Sequence, residues 1–425
     1  MNQRPARRGL SFFTMIGGVM GALKLKQHWD KHYNPLTSDE GRVALTSAPL
    51  DHPLPYMDRE GDEASVGLLD SETRPRRKPF GIVVVGIAIW NSVKLIIWAV
   101  SDAPTGLELM PTFSSSLGCL AAPHVYNNTK VVMTTPVGLE NDHSFEFRGS
   151  IVGTFVIAQG APDSKDVEYE MTLRTSNETL LKYINVIYPD FNEDGSIRSS
   201  RLVISTPGAD LQAECMRFDI VMYIPSTLKK LHVVSHATTH IQFAPDANVE
   251  LESFFVTLFA MDKNNLIIPS QTIRGNHMAL ELIRGWIVGD VAILNSTSIT
   301  TQRGDGITNI RAHPTAPLDP EHLLPVSFRT TTGAGRTDIF YIGSKALKRQ
   351  IDNVHLSSRN GDVYLTYKEA DFSGRVELNS KSFTAVGLHR FEDVSGGQTW
   401  THWAGDKEGA DQILVRSRGW SGLYF

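Results

Sequence analysis

The run of 21 residues from Phe80 to Val100 constrains this chain more than any other feature, because it is almost entirely apolar. As an α-helix it would extend ~31 Å at ~1.5 Å per residue, enough to cross the hydrocarbon core of a bilayer. Asn91, Ser92 and Lys94 interrupt the run. Lys94 lies near the end of the segment, where its ammonium can reach the membrane interface, or Asn91 and Lys94 can contact a partner helix. The segment therefore predicts a transmembrane helix over residues 80–100.

Basic residues flank only one side of this segment. Arg74, Arg76, Arg77 and Lys78 directly precede it, and no Lys or Arg follows it until Lys130. Positive charge is retained on the cytoplasmic side of a membrane, and each basic residue beside anionic lipid gains ~1 kcal/mol. We therefore expect a cytoplasmic N-terminus, a lumenal or extracellular C-terminal region, and membrane lipid as one partner of the chain.

Two further sequence features lie on the C-terminal side of the segment. Asn127, Asn177 and Asn295 each begin an Asn-X-Ser/Thr acceptor pattern for N-glycosylation. Cys119 and Cys215 are the two cysteines of the chain. An oxidising compartment would allow them to form a disulfide, and two buried free thiols are the alternative.

The first 79 residues predict a cytoplasmic tail. They begin with basic residues and an apolar stretch from Leu10 to Leu23, with no acidic residue before Asp30. This start is compatible with a secretory signal, a mitochondrial targeting segment, or a short helix on the membrane surface. We favour the surface helix, because a cleaved signal would place the C-terminal region in the cytosol, against the charge pattern. From Asn34 to Lys78 the sequence is rich in Pro, Ser, Asp, Glu and Gly, which predicts disorder.

The composition of the whole chain is typical of folded proteins, with 41% hydrophobic and 20% charged residues among 425. The formal net charge is −5 and the sequence pI is about 6.3. No overall charge therefore attracts the chain to nucleic acid. Its oligomeric state is open at this stage.

After residue 101, short runs rich in Val, Ile, Phe, Tyr and Thr alternate with turns of Gly, Asn, Asp and Pro. Phe145 and Phe147 alternate with Glu146 and Arg148, which is the period-two pattern of a strand with one buried face. The pattern predicts an all-β region. The predicted strands include 144–148, 149–158, 167–174, 202–205 and 218–224.

A turn that contains glycine precedes a strand repeatedly, at Gly289, Gly304, Gly335, Gly361 and Gly374. A recurring unit of turn and strand is what a stacked β-repeat needs, because each unit buries its apolar face on the next. A β-sandwich would use similar turns and is the alternative.

The sequence from Phe218 to Phe243 and the turns that follow it resemble the putative-adhesin domain of unknown function, a β-repeat family. Tyr223-Ile224-Pro225 and Gly361-Asp362-Val363 match the pattern of that family best. The resemblance covers residues 216–380 and implies a stacked β fold with an adhesion-like role. The overall layout also resembles uncharacterised membrane-anchored proteins of fungi. Neither resemblance implies catalytic residues.

Other parts of the C-terminal region depart from this pattern. The segment 312–325 contains four prolines and predicts an extruded loop. The final residues, 419–425, predict a last strand or a cap. We divide the region into a first β-rich part, 101–215, and a β-repeat part, 216–425.

His232, His236 and His240, spaced four residues apart, are the most suggestive candidates for metal ligands. On a helix they would share one face, but the β-branched residues around them predict a strand. There, residues four apart are separated by ~13 Å, too far to bind one ion. We therefore expect a polar strand face, no metal and no cofactor.

Three aspartates, Asp290, Asp305 and Asp362, directly follow a turn glycine, where a carboxylate can bond nearby backbone groups. Calcium bound between adjacent turns is the alternative. The glycine pairs at 304–306 and 333–335 lack the spacing of a phosphate-binding loop, so we interpret them as turns.

No catalytic motif stands out in the sequence. Ser421 lies in Gly-Trp-Ser-Gly, which lacks the last glycine of a nucleophile elbow. We predict a non-catalytic interaction module, adhesion-like, that presents a β face to a protein or a glycan. One alternative is a membrane-tethered glycan-active hydrolase, because β scaffolds can bring distant carboxylates together. Another is an assembly or trafficking factor that acts through residues 1–73.

Overall fold

The computed structural model describes residues 105–114, 116–193, 196–207, 214–301, 305–316, 324–344, 347–392 and 400–425. The predicted tail 1–79, the basic residues 74–78 and the predicted membrane segment 80–100 lie outside these residues. Within the described ranges, no helix is both long enough and apolar enough to cross a bilayer. Their secondary structure is almost entirely β-strand, so the all-β prediction is confirmed.

The described residues form 24 strands in one connected sheet, with three short 3₁₀ turns at Leu107–Leu109, Tyr126–Asn128 and Glu178–Tyr183. The strands are β1 His124–Val125, β2 Val131–Pro136, β3 Asp142–Arg148, β4 Val152–Gln159, β5 Asp166–Thr175, β6 Asn185–Ile187, β7 Arg201–Ser205, β8 Met216–Ile224, β9 Lys230–Ser235, β10 Thr238–Phe243, β11 Val249–Leu258, β12 Leu266–Ile268, β13 Ile273–Leu282, β14 Trp286–Ile293, β15 Ser296–Thr301, β16 Ile307–Pro314, β17 Val326–Thr332, β18 Thr337–Tyr341, β19 Ile351–Ser357, β20 Val363–Thr366, β21 Gly374–Val386, β22 His389–Arg390, β23 His402–Ala404 and β24 Asp411–Tyr424.

Most strands belong to one of two parallel ladders. Ladder A runs through β7, β3, β9, β11, β13, β15, β17, β19, the first half of β24, and β21. Ladder B runs through β8, β4, β10, β12, β14, β16, β18, β20, and the second halves of β24 and β21. From β9 to β20 the chain alternates between the ladders, so successive turns of the chain stack at ~4.8 Å per strand. Outward side chains of neighbouring turns therefore form rows in register.

Inward-facing apolar side chains of both ladders pack into one hydrophobic core. In β3, Phe145 and Phe147 are buried and Arg148 is exposed, as the alternation predicted. Glu146, which the same alternation placed on the exposed face, is buried instead, because Arg148 and Arg201 pack against its carboxylate. The core contains side chains from both predicted parts, 101–215 and 216–425, because β3 and β4 pair with β8, β9 and β10. The stacked turns thus begin within the first part.

Glycines stack at the corner where the chain passes from ladder A to ladder B. A Cβ atom on Gly335 would overlap the carbonyl oxygen of Gly306. A Cβ atom on Gly361 would lie 2.5 Å from the carbonyl oxygen of Gly335, and one on Gly419 would lie 2.5 Å from that of Gly361. Only glycine permits this approach of backbones, which explains the recurring turn. Gly289 is different: it lies inside β14, so the turn predicted there is wrong.

The prediction of an extruded loop over residues 312–325 is wrong in its first part. Residues 312–314 belong to β16, where Ala312 pairs with Val291 and Pro314 pairs with Ile293. A proline is acceptable at the end of a strand because the missing N–H interrupts no further pairing. Residues 317–323 and the predicted turn glycine Gly304 lie outside the described residues.

Strands out of chain order close both ends of the stack. At one end, antiparallel β5 pairs with β8 and antiparallel β6 pairs with β7. At the other end, β24 lies between β19–β20 and β21, and it is paired on both sides. Of the two alternatives for residues 419–425, a last strand or a cap, the structure therefore shows the strand, and that strand is internal. β21 lies beyond β24 and pairs with antiparallel β23 over Gly374–Val376.

Residues 105–114 and 116–122, which we call the strap, cross the outer face of ladder B. Near its start, Trp286 Nε1 donates to the carbonyl oxygen of Gly106 at 3.4 Å. Further along, the N–H of Ser114 donates to His240 Nδ1 at 3.3 Å, and the rings of Phe113 and His240 are 5.9 Å apart. The strap therefore spans the turns from β14 back to β10.

A disulfide joins the far end of the strap to the sheet. Cys119 and Cys215 are bonded, with their Cα atoms 5.6 Å apart, and Arg217 Nη1 donates to the carbonyl oxygen of Cys119 at 3.3 Å. Because the strap covers this face, Leu266 and Trp286 are buried although neither belongs to the core between the ladders. The structure brings together the two cysteines whose pairing the sequence left open.

Each half of the core contains a buried histidine that bonds a tyrosine hydroxyl. His143 Nε2 bonds the Tyr169 hydroxyl, and His355 Nε2 lies 2.9 Å from the Tyr367 hydroxyl. Burial lowers the pKa of both histidines to about 3, so both are neutral near neutral pH. Their other ring nitrogens bond hydroxyl groups of Ser200 at 2.6 Å and Thr330 at 2.9 Å, respectively.

Candidate functional site

Aromatic side chains gather on the outer face of ladder B beyond the strap. Tyr364 of β20 and Trp420 and Tyr424 of β24 face outward on adjacent turns of the chain. Phe340 of β18 is exposed and lies two strands away in the same register row as Tyr424. We call these four rings, with Arg336, the aromatic platform.

Three of the platform rings contact another ring or a nearby cation. The ring centroids of Tyr364 and Trp420 are 4.7 Å apart. The guanidinium carbon of Arg336 lies 3.8 Å from the Tyr364 centroid, and the ammonium of Lys368 lies 5.9 Å from the Tyr424 centroid. Both cations are within the range of cation–π attraction, which is strongest at short distances. These contacts restrict the positions of Tyr364, Trp420 and Tyr424 at the surface.

The indole of Trp420 packs against the backbone of Gly422. A Cβ atom on Gly422 would lie 2.6 Å from Trp420 Cη2 and 3.1 Å from Tyr424 Cε2. The rings of Trp420 and Tyr424 therefore lie directly over the glycine backbone, on the outer side of β24. Ser421 and Leu423, which alternate with them, are fully buried on the inner side.

A buried carboxylate fixes the arginine of the platform. Arg336 donates to both oxygens of Asp338, through Nε at 2.7 Å and Nη2 at 2.8 Å. Burial by itself would lower the pKa of Arg336, but the hydrogen bonds and charge of Asp338 raise it. Burial also raises the pKa of Tyr364. At neutral pH the platform therefore presents a charged guanidinium beside a neutral phenol.

This arrangement is suited to binding a ligand by stacking and hydrogen bonding. Trp, Tyr and Arg are the residue types that dominate binding energy in protein interfaces, because they supply large contact areas together with polar groups. The rings already have fixed positions, so little conformational freedom is lost on contact.

The structure separates the three histidines that resembled metal ligands. His232 lies on β9 of ladder A, His236 lies in the following turn, and His240 lies on β10 of ladder B. The expectation that the three histidines share one strand face is therefore wrong, because only His232 lies on β9. His240 is buried and its Nε2 bonds the carbonyl oxygen of Asn264 at 2.9 Å. The described part of the chain contains no cluster of three or more residues that could hold a metal.

The turn aspartates have protein partners. His313 Nε2 lies 2.6 Å from Asp290 Oδ1. Arg284 donates to both oxygens of Asp305, at 2.8 and 3.1 Å, and this hydrogen bonding lowers the pKa of Asp305. The backbone N–H of Trp420 lies 3.4 Å from Asp362 Oδ1. Asp305 and Asp362 thus bond groups at the corners of the stack, whereas Asp290 bonds His313 across two neighbouring strands, β14 and β16.

The three acceptor patterns for glycosylation differ in exposure. Asn127 and Thr129 are both exposed. The side chain of Asn177 accepts hydrogen bonds from Thr179 and donates to Glu214. In the third pattern, Asn295 is partly exposed. Its threonine, at position 297, is 1% exposed.

The other candidate positions give no catalytic arrangement. Ser421 is fully buried and bonds Ser380 Oγ at 2.9 Å, so it is not a nucleophile elbow. A cavity of about 710 Å³ near the start of β19 is lined by two carboxylates, Glu369 and Asp371, among other residues. The side chain of Asp371 is 91% exposed and lies 3.5 Å from Lys348. The carboxylate of Asp371 is therefore largely solvated and paired with a lysine.

The platform is not evident from local sequence. Its signal is the alternation of Trp420, Gly422 and Tyr424 with the buried Ser421 and Leu423 in the last seven residues. That pattern identifies rings on one face of a strand. It does not reveal that Tyr364 and Arg336, more than 50 positions earlier, lie on neighbouring turns.

No family model matches this chain. No curated protein matches it either. Among solved structures, a putative cell adhesion protein from Clostridium sporogenes matches with 11% identity and a TM-score of 0.20, covering 70% of this chain and 99% of that protein. A putative adhesin from Parabacteroides merdae matches with 13% identity and a TM-score of 0.22, covering 57% of this chain and 93% of that protein. Both descriptions name adhesion, as the sequence resemblance did, but scores this low do not bear on ligand or location.

Proposed function

We propose that this protein is a non-catalytic interaction module of the adhesion-like type, which contacts its ligand through the aromatic platform. The observation that carries the proposal is the stack of Arg336, Tyr364 and Trp420 on the outer face of ladder B. These rings are not needed to fill the core between the ladders, whose residues come from the inward rows. A surface of Trp, Tyr and Arg outside the core is typical of a binding site.

The proposal includes the location of the module. The segment Phe80–Val100 would anchor the chain in a membrane, with residues 1–79 in the cytosol and the β region in a lumen or outside the cell. In the sequence, the strap begins five residues after this segment. The strap and the platform lie on the same ladder. Support comes from the apolar segment and from the one-sided basic residues 74–78.

The test measures how many cells attach to lipid-coated beads that carry the full-length chain in their lipid layer. Beads and intact cells of the encoding organism are mixed, washed under shear and counted. The Trp420→Ala variant is expected to reduce attachment at least tenfold, because loss of a central aromatic typically removes ~2 kcal/mol of binding. Tyr183→Ala is the matched control. Tyr183 is 68% exposed and lies in the 3₁₀ turn Glu178–Tyr183, which is not part of the platform. Equal attachment of wild type and Trp420→Ala would contradict the proposal.

A further inference from the structure

A second polar cluster lies on the outer face of ladder A, around Glu146 of β3. Arg148 donates to Glu146 through Nε, and Arg201 of β7 donates to it through Nη2. His236, in the turn after β9, places its Nε2 3.4 Å from Glu146 Oε1. His232 of β9 is close enough for the Glu146 charge to raise its pKa, although burial lowers it more. We call these five residues the cationic cluster.

The cluster has more positive than negative charge at its surface. The side chain of Glu146 is 10% exposed, whereas those of Arg148 and Arg201 are each 51% exposed. One carboxylate balances only one of the two guanidinium groups. Each guanidinium has five N–H donors in a planar fork, and the half of each side chain that faces solvent can bind a further anion. Glu146 therefore acts as a buried support that holds two arginines side by side.

Carboxylates near the cluster are engaged elsewhere. Glu140 bonds Lys230 at 2.9 Å, and Asp142 Oδ2 accepts a hydrogen bond from Ser199 Oγ at 3.0 Å. They lie at the start of β3, four or more residues before Glu146. An anion that approaches Arg148 and Arg201 thus meets a locally positive surface.

Exposed rings border the cluster on the next strand, β11. The rings of His236 and Phe259 are stacked with centroids 5.0 Å apart, and His232 meets Phe255 edge-on at 6.0 Å. Phe255 and Phe259 are 38% and 44% exposed. From β7 to β11 the site covers four neighbouring strands, or ~14 Å at ~4.8 Å per strand. It is long enough for a ligand of more than one unit, with apolar surface next to charge.

The pairing of these strands limits the class of ligand. β3, β9 and β11 are each hydrogen-bonded to a neighbour on both sides, so an extended peptide cannot add to a free edge here. The outward row of β3 also contains the partly exposed hydroxyl group of Ser144, beside His232 of β9. A flat face with two arginines, a hydroxyl group and exposed rings suits a hydroxyl-rich, negatively charged polymer.

We propose that the cationic cluster binds the carboxylate or sulfate groups of an acidic oligosaccharide through Arg148 and Arg201. The site is on the ladder opposite the aromatic platform and is independent of it. Arginine pairs with such groups through two parallel hydrogen bonds, which are stronger than bonds between neutral partners.

The experiment titrates four probes into the full-length chain by calorimetry at neutral pH and low salt. The probes are tetragalacturonate, a heparin-derived tetrasaccharide, neutral maltotetraose and a hexaglutamate peptide. At least one acidic oligosaccharide is expected to bind and maltotetraose is not. Arg148→Gln and Arg201→Gln are each expected to weaken binding at least tenfold, and added salt is expected to weaken it further.

Three controls make the outcome decisive. Arg329→Gln removes an exposed arginine from the same outer face, on β17, and is expected to leave binding unchanged. Arg148→Lys keeps the charge and support of Glu146, so it separates loss of the planar fork from loss of folding. Trp420→Ala is expected to have no effect, which distinguishes this site from the platform.

The proposal is overturned if no acidic probe binds, if maltotetraose or hexaglutamate binds as tightly through the same arginines, or if Arg329→Gln has the same effect as Arg148→Gln.

Discussion

The six-membered ring of Trp420 lies against the backbone of Gly422, two residues along the same strand, where a Cβ atom would be 2.6 Å from Cη2. The indole is an end group on a flexible side chain, so a Gly422→Ala substitution would displace the ring and leave the strand in place. We expect weakened ligand attachment and an altered near-UV circular dichroism spectrum, with a loss of stability of ~1–3 kcal/mol from overpacking. Tyr424→Phe keeps the second ring and serves as the control. An unchanged spectrum in Gly422→Ala would show that the indole of Trp420 does not pack against the backbone of Gly422.

Arg349 is predicted to be one of the most important single side chains for stability. It is 5% exposed and donates to the carbonyl oxygens of Leu294, Thr315 and Leu324. Replacement by methionine would leave these acceptors without their donor, at ~1–3 kcal/mol for each one that stays buried. We expect the free energy of unfolding in urea to fall by at least ~3 kcal/mol. Arg329→Met, on the exposed face, should change it by less than ~0.5 kcal/mol; similar losses in both variants would refute the assignment.

Acid is expected to destabilise the fold below the ordinary pKa of histidine. His143 and His355 have pKa values of about 3 in the folded protein because they are buried, whereas histidine in an unfolded chain has a pKa of ~6.5. The unfolded state therefore binds more protons, so the stability is fully present above ~6.5 and is lost as the pH falls toward about 3.

The measurement for this prediction is the free energy of unfolding in urea between pH 6.5 and 5, where most carboxylates remain ionised. The loss approaches ~1.4 kcal/mol per pH unit for each buried histidine. His355→Gln should flatten the slope by about one histidine's share, while the exposed His277→Gln should not. A wild-type stability that does not vary across this range would contradict the prediction.

The disulfide is expected to hold the strap on ladder B. Cys119 and Cys215 close a loop with a sequence separation of 96, and a Cys119→Ser/Cys215→Ser double variant should lose ~2–5 kcal/mol of stability. Amide hydrogen exchange in the strap should rise strongly, because its N–H groups would open to water together with the indole of Trp286. Exchange in β17 and β19 serves as the internal reference. Unchanged protection of the strap from hydrogen exchange would show that its other contacts hold it on ladder B without the disulfide.

The proposed location makes a prediction for Asn127. If the C-terminal region enters the secretory pathway, the exposed Asn127 and Thr129 form the most accessible acceptor, while Thr297 of the third pattern is buried. The full-length chain expressed in a eukaryotic host should shift in mass on glycosidase treatment, and Asn127→Gln should remove most of that shift. Protease protection of sealed membranes tests the same topology. An unshifted, cytosol-accessible β region would overturn the membrane orientation.

Local pattern was sufficient for much of the fold. Strands β3, β5, β7 and β8 lie within a few residues of their predicted bounds, because period-two alternation is a property of neighbouring residues. The corner glycines Gly335 and Gly361 also follow from local sequence, since only glycine tolerates the backbone approach. The turn predicted at Gly289 was wrong because local sequence does not distinguish a glycine inside a strand from a glycine in a turn. The tertiary pairing of β14 with β16 decides between them.

By itself, the sequence determined the all-β class of the C-terminal region and the positions of several of its strands, because inward and outward residues alternate within a strand. The tertiary structure alone decided the rest. It set the order of the end strands, with β24 between β19–β20 and β21, and it laid the strap across Leu266 and Trp286. It also placed Arg336, Tyr364 and Trp420 in one stack, and Arg148 and Arg201 on one carboxylate. These arrangements join residues tens to hundreds of positions apart, and the physical reason is that the stacking of turns, unlike alternation, depends on contacts that no local window contains.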